Sequence, residues 1–211
     1  MKQLQLTPPL LIVTMGYPGS GKTFFARQFA ELYDLPRISE EVLRYELFEK
    51  PLFNADESEI IERIMHYNIE QLFKTKATVI CEGMFLTRKQ RNQLYMLASK
   101  NGYRTLTVWL QTDMQTSLIR ATQRDRRNPD SKYSFEIDSK TFTRLKDSLQ
   151  RPTEKETAIV ISGKHAFRSQ MLTVLKKIAG MYSESISRGE FSAPSKMPAP
   201  QRRKPTNQLI Q

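Results

Sequence analysis

Cysteine is nearly absent from this chain: among 211 residues only Cys81 carries a thiol. One cysteine cannot build an internal disulfide framework, and His66 and His165 are the only histidines and lie far apart, so no His/Cys metal-ligand spacing exists. A reducing, cytoplasmic setting is the default expectation, with Cys81 read as a small buried hydrophobe. Long apolar runs are missing too. The stretch Leu10–Met15 is too short to span a bilayer and leads into a glycine-rich loop with no small-residue cleavage site, which predicts a buried strand, no signal peptide and no membrane partner. Internal repeats are lacking. Acids are in deficit: 22 Asp and Glu face 33 Lys and Arg, a formal charge of +11. Clustered cations attract phosphate, nucleic acid or anionic surfaces, and charge alone does not choose among these.

What is present is an alternation. Short apolar runs predict strands at Leu10–Met15, Arg37–Ser39, Thr78–Cys81, Thr105–Leu110 and Thr157–Ile161. Between and after them, helical patterns cover Lys22–Tyr33, Glu41–Phe48, Asp56–Phe73, Arg88–Lys100, Asp113–Arg124 and Phe167–Met181. Asn54 with Glu57 has capping-box spacing, and Asn101-Gly102 marks a helix end. Parallel strands need crossovers and these helices supply them, so the fold class is α/β, a mostly parallel five-stranded sheet flanked by helices. With 39% hydrophobic residues the chain suits one core, placed in residues 1–185. Residues 186–211 differ in composition: five cations, one acid and four prolines give a net +4 and leave +7 on the rest. Such a segment buries too little apolar surface to offset its ordering entropy, so it is expected to be a disordered basic tail.

Gly16-Tyr17-Pro18-Gly19-Ser20-Gly21-Lys22-Thr23 satisfies G-x-x-x-x-G-K-[ST] directly after a strand and at the opening of a helix. Gly16, Gly19 and Gly21, with Pro18 and Ser20 between them, let the backbone wrap closely around phosphate, so that N–H groups and the helix N-terminus point at the anion. Lys22 is placed to reach the β- and γ-phosphates and Thr23 to hold Mg²⁺. The motif in this context makes nucleotide binding the strongest reading of the chain, and ATP with Mg²⁺ the expected cofactors.

Phosphate loops serve GTPases, motor ATPases and small kinases alike, so the acceptor must be read elsewhere. Glu41 and Arg44 stand three apart on a starting helix; a carboxylate to take a hydroxyl's proton and a cation to hold an anionic acceptor are what phosphoryl transfer needs. Glu82 closes a buried strand, where ligands of open α/β sheets bind, and is a candidate for the Mg²⁺ shell or for orienting the nucleophile. Arg120, Arg124, Arg126 and Arg127 lie within eight positions, the first two spaced as neighbours on a helix end, and predict an arginine-rich lid. Arg124 is the candidate for stabilising the transferring group and Arg120 for holding the nucleotide.

With these residues the chain resembles the P-loop kinases of the polynucleotide 5′-hydroxyl kinase and zeta-toxin-like group, over about Leu10 to Ile178. That group carries a G-x-P-G-S-G-K-[ST] loop, as at Gly16–Thr23, and a D-x-x-R after the second strand, where Glu41 and Arg44 fall. An acid closes its third strand, where Glu82-Gly83-Met84 stand; then comes L-[TN]-x-x-x-R, matched by Leu86 to Arg91, and a lid helix with arginines four apart, matched by Arg120 and Arg124. The resemblance implies a P-loop NTPase fold and transfer of the γ-phosphoryl group of ATP to a hydroxyl, foremost a polynucleotide 5′ end. It implies Glu41 as the base and Arg44 as the residue that meets an acceptor phosphate. Both family aspartates are glutamates here, one methylene longer, which leaves two alternatives open: a zeta-toxin-like or small-metabolite kinase, or a nucleotide-gated nucleic-acid-binding or regulatory ATPase without kinase activity.

Overall fold

The structure, a computed structural model, describes residues 4–124, 127 and 132–187. Five strands form one sheet in the order β2-β3-β1-β4-β5, with every pairing parallel. These are β1 (Leu10–Met15), β2 (Arg37–Ser39), β3 (Val79–Glu82), β4 (Arg104–Gln111) and β5 (Ala158–Ser162). The helices are α1 (Lys22–Tyr33), α2 (Glu40–Leu47), α3 (Ala55–Phe73), α4 (Arg88–Lys100), α5 (Met114–Thr122), α6 (Ser139–Asp147) and α7 (Phe167–Ser187).

Period-two alternation along β1 explains the layers. Leu10 and Ile12 face a core shared with Phe25 and Phe29 of α1 and Val174 and Ile178 of α7, while Leu11, Val13 and Met15 face the opposite core with Ile61, Met65 and Ile69 of α3 and Leu94 of α4. All six residues of β1 are buried, as expected for a central parallel strand covered on both faces. Cys81 belongs to the second core and is fully buried, which pushes its thiol pKa well up, with Glu40 and Glu82 adding to the shift. No helix among the described residues is long and apolar enough to cross a membrane.

Several expected boundaries shift. α2 begins at Glu40 rather than Glu41, because Ser39 caps it by accepting from the Val42 amide at 3.4 Å. α5 ends at Thr122, so Arg124 lies beyond the helix instead of one turn from Arg120. The Asn54 cap forms, accepting from the Glu57 amide at 2.9 Å, but the Glu57 carboxylate turns to the amides of Leu52 and Phe53 rather than closing a box. A complete capping box stands instead at Thr87 and Gln90. α6 was not legible as a helix: of its nine residues only Phe142 is buried. Together with Ala121 and Ile137 it forms a small third core beneath the segment after α5. The basic tail expected at 186–211 starts within the last turn of α7 and otherwise lies outside the described residues.

Candidate active site

The expected phosphate loop joins β1 to α1 and lies at the carboxyl end of the sheet. Gly21 stands at the N-cap of α1 without a side-chain cap, and the helix's first turn holds no acid, so its leading amides face the loop's hollow with the positive end of the helix dipole behind them. Gly19 has φ 76°, and a Cβ there would sit 2.2 Å from the Ser117 carbonyl oxygen of α5. Only glycine permits both the turn and that approach. Behind the loop, Thr112 donates to the Ser20 carbonyl at 3.1 Å, and Gly163 packs so close that a Cβ would lie 1.9 Å from the same oxygen. Nothing in the motif pointed to Gly163. The Ser20 hydroxyl is buried with no hydrogen-bond partner.

Lys22 spans the loop, donating to the carbonyls of Gly16 at 3.1 Å and Tyr17 at 2.9 Å. Burial lowers its pKa, while the nearby carboxylates of Glu41 and Glu82 oppose that shift. An ammonium held on carbonyls in a desolvated site is a cation ready for a stronger anionic partner. Thr23 donates to Glu41 Oε2 at 3.2 Å.

Around this loop the chain gathers three acids. Glu82, 1% exposed at the end of β3, accepts from Arg37 of β2 at 2.5 Å. Its pKa is raised, first by burial and then by the neighbouring Glu41 charge, against the pull of the Thr23 hydroxyl, Arg37 and Lys22. Glu41 takes bonds from both sides: Thr23 from the loop, and from the segment after α5 the Ser134 hydroxyl at 2.7 Å and Arg124 at 3.6 Å. Glu40 points elsewhere, accepting from the Met84 amide at 2.8 Å and from Arg44 at 3.1 Å.

The structure therefore brings together Lys22, Thr23, Glu41, Glu82 and Arg124 at the loop's mouth. Lys22, Glu41, Glu82 and Arg124, with Pro18, line a cavity of about 30 Å³ whose apolar side includes Phe53, Phe135 and Ile137. A second cavity of about 430 Å³ adjoins it and shares Glu40, Phe53, Met84 and Leu145; His66, Gln90 and Arg144 also line it. Arg44 reaches the first cavity's wall but is 2% exposed, its guanidinium held by Glu57 at 3.0 Å and by Glu40. Arg120 turns away from Glu41 toward the Gly163 carbonyl, at 3.4 Å, and is exposed. Of the other lid arginines, Arg127 is exposed and Arg126 lies outside the described residues. Sequence reasoning missed Arg37, Glu40, Ser134 and Gly163, and read Glu57 only as a capping-box partner; of the first four, only Glu40, in tandem with Glu41 at a helix start, carried any signal.

A cradle of amides beside a buried ammonium suits a phosphate group. The hydroxyl of Thr23 with the carboxylate of Glu82 supplies hard oxygen donors of the kind Mg²⁺ takes. No group of three or more His, Cys, Asp or Glu side chains among the described residues makes a metal cage, so an ion here would draw the remaining donors from phosphates and water.

The sheet order and loop define a P-loop α/β fold of the kind found in small kinases. Residues 11–152 match the sequence profile of a family described as an AAA domain, and the chain belongs to that family. Among solved structures, a gluconokinase from Sinorhizobium meliloti superposes with a TM-score of 0.62 at 17% identity, over 86% of this chain and 98% of that one. Kti12 from Chaetomium thermophilum, in complex with ADP-AlF3, gives 0.62 at 18%, over 79% and 96%. The Mycobacterium tuberculosis APS kinase CysC, in complex with AMPPNP and APS, gives 0.58 at 14%, over 82% and 98%. At these identities the likeness establishes the fold. No curated protein matches the sequence.

Proposed function

We propose that this protein is an ATP-dependent kinase that transfers the γ-phosphoryl group to a hydroxyl, with a polynucleotide 5′-hydroxyl as acceptor. The observation that carries the reading is the placement of Glu41, whose carboxylate stands between the Thr23 hydroxyl of the phosphate loop and Arg124, on the wall of the cavity in front of Lys22. The acceptor oxygen attacks the γ-phosphorus, the bond to the ADP oxygen breaks, and the acceptor's proton passes to Glu41. Lys22 and the α1 amides hold the phosphates, and Arg124 turns from Glu41 to the transferring group as charge spreads over it. Thr23 and Glu82 would hold Mg²⁺, which supplies charge neutralisation between the phosphates. Arg120, near the Gly163 carbonyl, is placed for the nucleotide side. The +7 carried by residues 1–185 supports a polyanionic acceptor, and the fold of the neighbours, two of them kinases by name, supports phosphoryl transfer.

A second reading, a small-metabolite kinase, is favoured by one specific observation. Arg44, which the family resemblance gives to the acceptor's phosphate, is neutralised internally by Glu57 and Glu40. Incubation with labelled ATP, Mg²⁺ and a panel of 5′-hydroxyl DNA and RNA strands, gluconate and other small alcohols separates the two. Label on the strands, lost in Glu41→Gln, is the expected result. Label only on a small alcohol moves the acceptor to the second reading, and no transfer to any hydroxyl overturns both.

A further inference from the structure

Beside the cavity that Glu41 and Lys22 line, four aromatic rings from three separate segments meet. Tyr45 on α2 lies 5.4 Å from Tyr133, edge to face, and 5.6 Å from Phe135 with the rings inclined at 36°. Phe135 in turn meets Phe53 edge-on at 6.5 Å, and Phe53 and Phe135 form the cavity's apolar wall. Cations flank the row: Lys132 lies 5.0 Å from the Tyr133 ring centre and Arg44 lies 4.8 Å from that of Phe53. A cluster that served only to pack the segment after α5 against α2 would be buried, yet Tyr45 is 48% exposed and the other three rings are half-buried.

Phe53 adds an independent observation. Its φ is +53°, a left-handed conformation that costs a bulky residue about 1–3 kcal/mol and persists only when its surroundings impose it. They do so here. The Glu57 carboxylate accepts from the Leu52 and Phe53 amides at 2.7 and 2.8 Å, and Arg144 donates to the Phe53 carbonyl at 3.0 Å. The buried Arg44–Glu57 pair therefore has a task other than meeting an acceptor phosphate: it fixes the turn that points a ring into the cavity.

We propose that Tyr45, Tyr133 and Phe135, with Phe53 at the inner end, form a stacking platform for unpaired nucleobases at the end of a single strand, which lays the terminal sugar toward Glu41. This rests on the polynucleotide reading of the acceptor and adds what that reading leaves open, namely that single-stranded ends bind through base faces. Aromatic faces accept any base, and the exposed Lys132 beside Tyr133 is placed to take a backbone phosphate, while the buried Arg44 serves only to hold the Phe53 turn. Paired bases in a blunt duplex keep their faces against their neighbours and cannot use the platform.

The test is direct binding without ATP. A 3′-fluorescein-labelled 5′-hydroxyl oligothymidylate of about 12 nucleotides, within the size range of single-strand sites, is titrated by anisotropy with the full chain, with Tyr45→Ala, with Tyr133→Ala and with Tyr45→Phe. Each lost stacking contact is expected to raise Kd about 5- to 150-fold, while Tyr45→Phe, which keeps the ring, binds as the parent does. A strand with abasic sites at its 5′-terminal positions should bind the parent chain more weakly than an intact strand does, and the loss should be smaller in Tyr45→Ala, which has one ring fewer to forfeit. Unchanged affinity in both alanine variants, or equal binding of the abasic strand, overturns the platform. Failure of the parent chain to bind the strand, alongside transfer to a small alcohol, also overturns it and leaves the kinase reading standing. Ring-dependent binding with no transfer to any hydroxyl upholds the platform and removes the kinase reading.

Discussion

The phosphate-loop side of this site and the side proposed to receive the acceptor are built differently. The first is made of main chain: eight consecutive residues turn around a hollow, the N-terminus of α1 faces into it, and its cation, Lys22, rests on carbonyls of the same loop. The second is made of side chains that meet from α2, the α2–α3 turn, the end of β3 and the segment after α5, with partners such as Ser134 and Glu41 93 positions apart. A main-chain cradle imposes fixed spacing and glycines, whereas convergent side chains impose only proximity. Chemistry common to many nucleotide-binding proteins is thus written locally, and the proposed acceptor side is written in packing.

Substitution of the acids should separate the two sides. Glu41→Gln keeps the shape and removes the proposed base, so kcat is expected to fall about 10²–10⁴-fold with ATP affinity nearly unchanged. Glu40→Gln disturbs instead the Met84 amide and Arg44, and should act on the acceptor KM with a smaller effect on kcat. Steady-state kinetics of the pair checks this, and the reverse ranking would place the base one residue earlier. Next in size is Lys22→Met, expected to lower kcat about 10²–10³-fold, the loss typical of one positioned electrostatic donor. Equal turnover by a folded Lys22→Met chain would show that the amides alone suffice.

Legibility follows the same division. All five strands of the parallel sheet and six helices could be read from period-two and helical patterns, with most ends shifted by a residue or two, in α2 and α5 because the caps Ser39 and Asp113 act through side-chain geometry, and with α7 running six residues past the expected Met181. α6 could not be read, since its nine residues bury one ring. Lys22, Thr23, Glu41 and Glu82 were legible as residues, through motif spacing and strand-end position. Their partners were not: Arg37 reaches Glu82 only because β2 lies beside β3 in the sheet, and Arg44 binds Glu57 only because α2 meets α3. Arg120 and Arg124 looked like neighbours on one helix face, and the end of α5 at Thr122 sends them to opposite sides of the loop.

Gly163 sharpens the comparison from the nucleotide side, because it belongs to the cradle by packing alone. A methyl group there meets the Ser20 carbonyl at 1.9 Å and the Thr112 hydroxyl at 2.3 Å, both fixed by their mutual hydrogen bond. Gly163→Ala is expected to cost about 1–3 kcal/mol of stability through overpacking, and to weaken ATP binding by shifting the loop. Denaturant melts with and without ATP read both effects. A variant as stable as the parent and with equal ATP affinity would show that the β5–α7 loop yields freely.

The smallest effect expected is a pH dependence confined to Glu82. Burial, and then the Glu41 charge, raise its folded-state pKa above the ordinary value of 4.5. A carboxyl with a raised folded pKa adds stability that is fully present below the unfolded pKa and is lost as pH rises through the folded one, because the unfolded chain ionises first. Glu82→Gln removes that titration together with half of the Arg37 pair. In metal-free buffer, the melting temperature of Glu82→Gln minus that of the parent should therefore grow more positive as pH rises from below 4.5 toward neutrality. Titrations of groups remote from Glu82 cancel in the difference. A difference that stays flat or declines over that range would mean that Arg37, Lys22 and the Thr23 hydroxyl outweigh burial, and that the carboxylate is held ready in its charged form. Addition of Mg²⁺ with ATP at neutral pH should then favour the parent, since only the carboxylate can serve the ion.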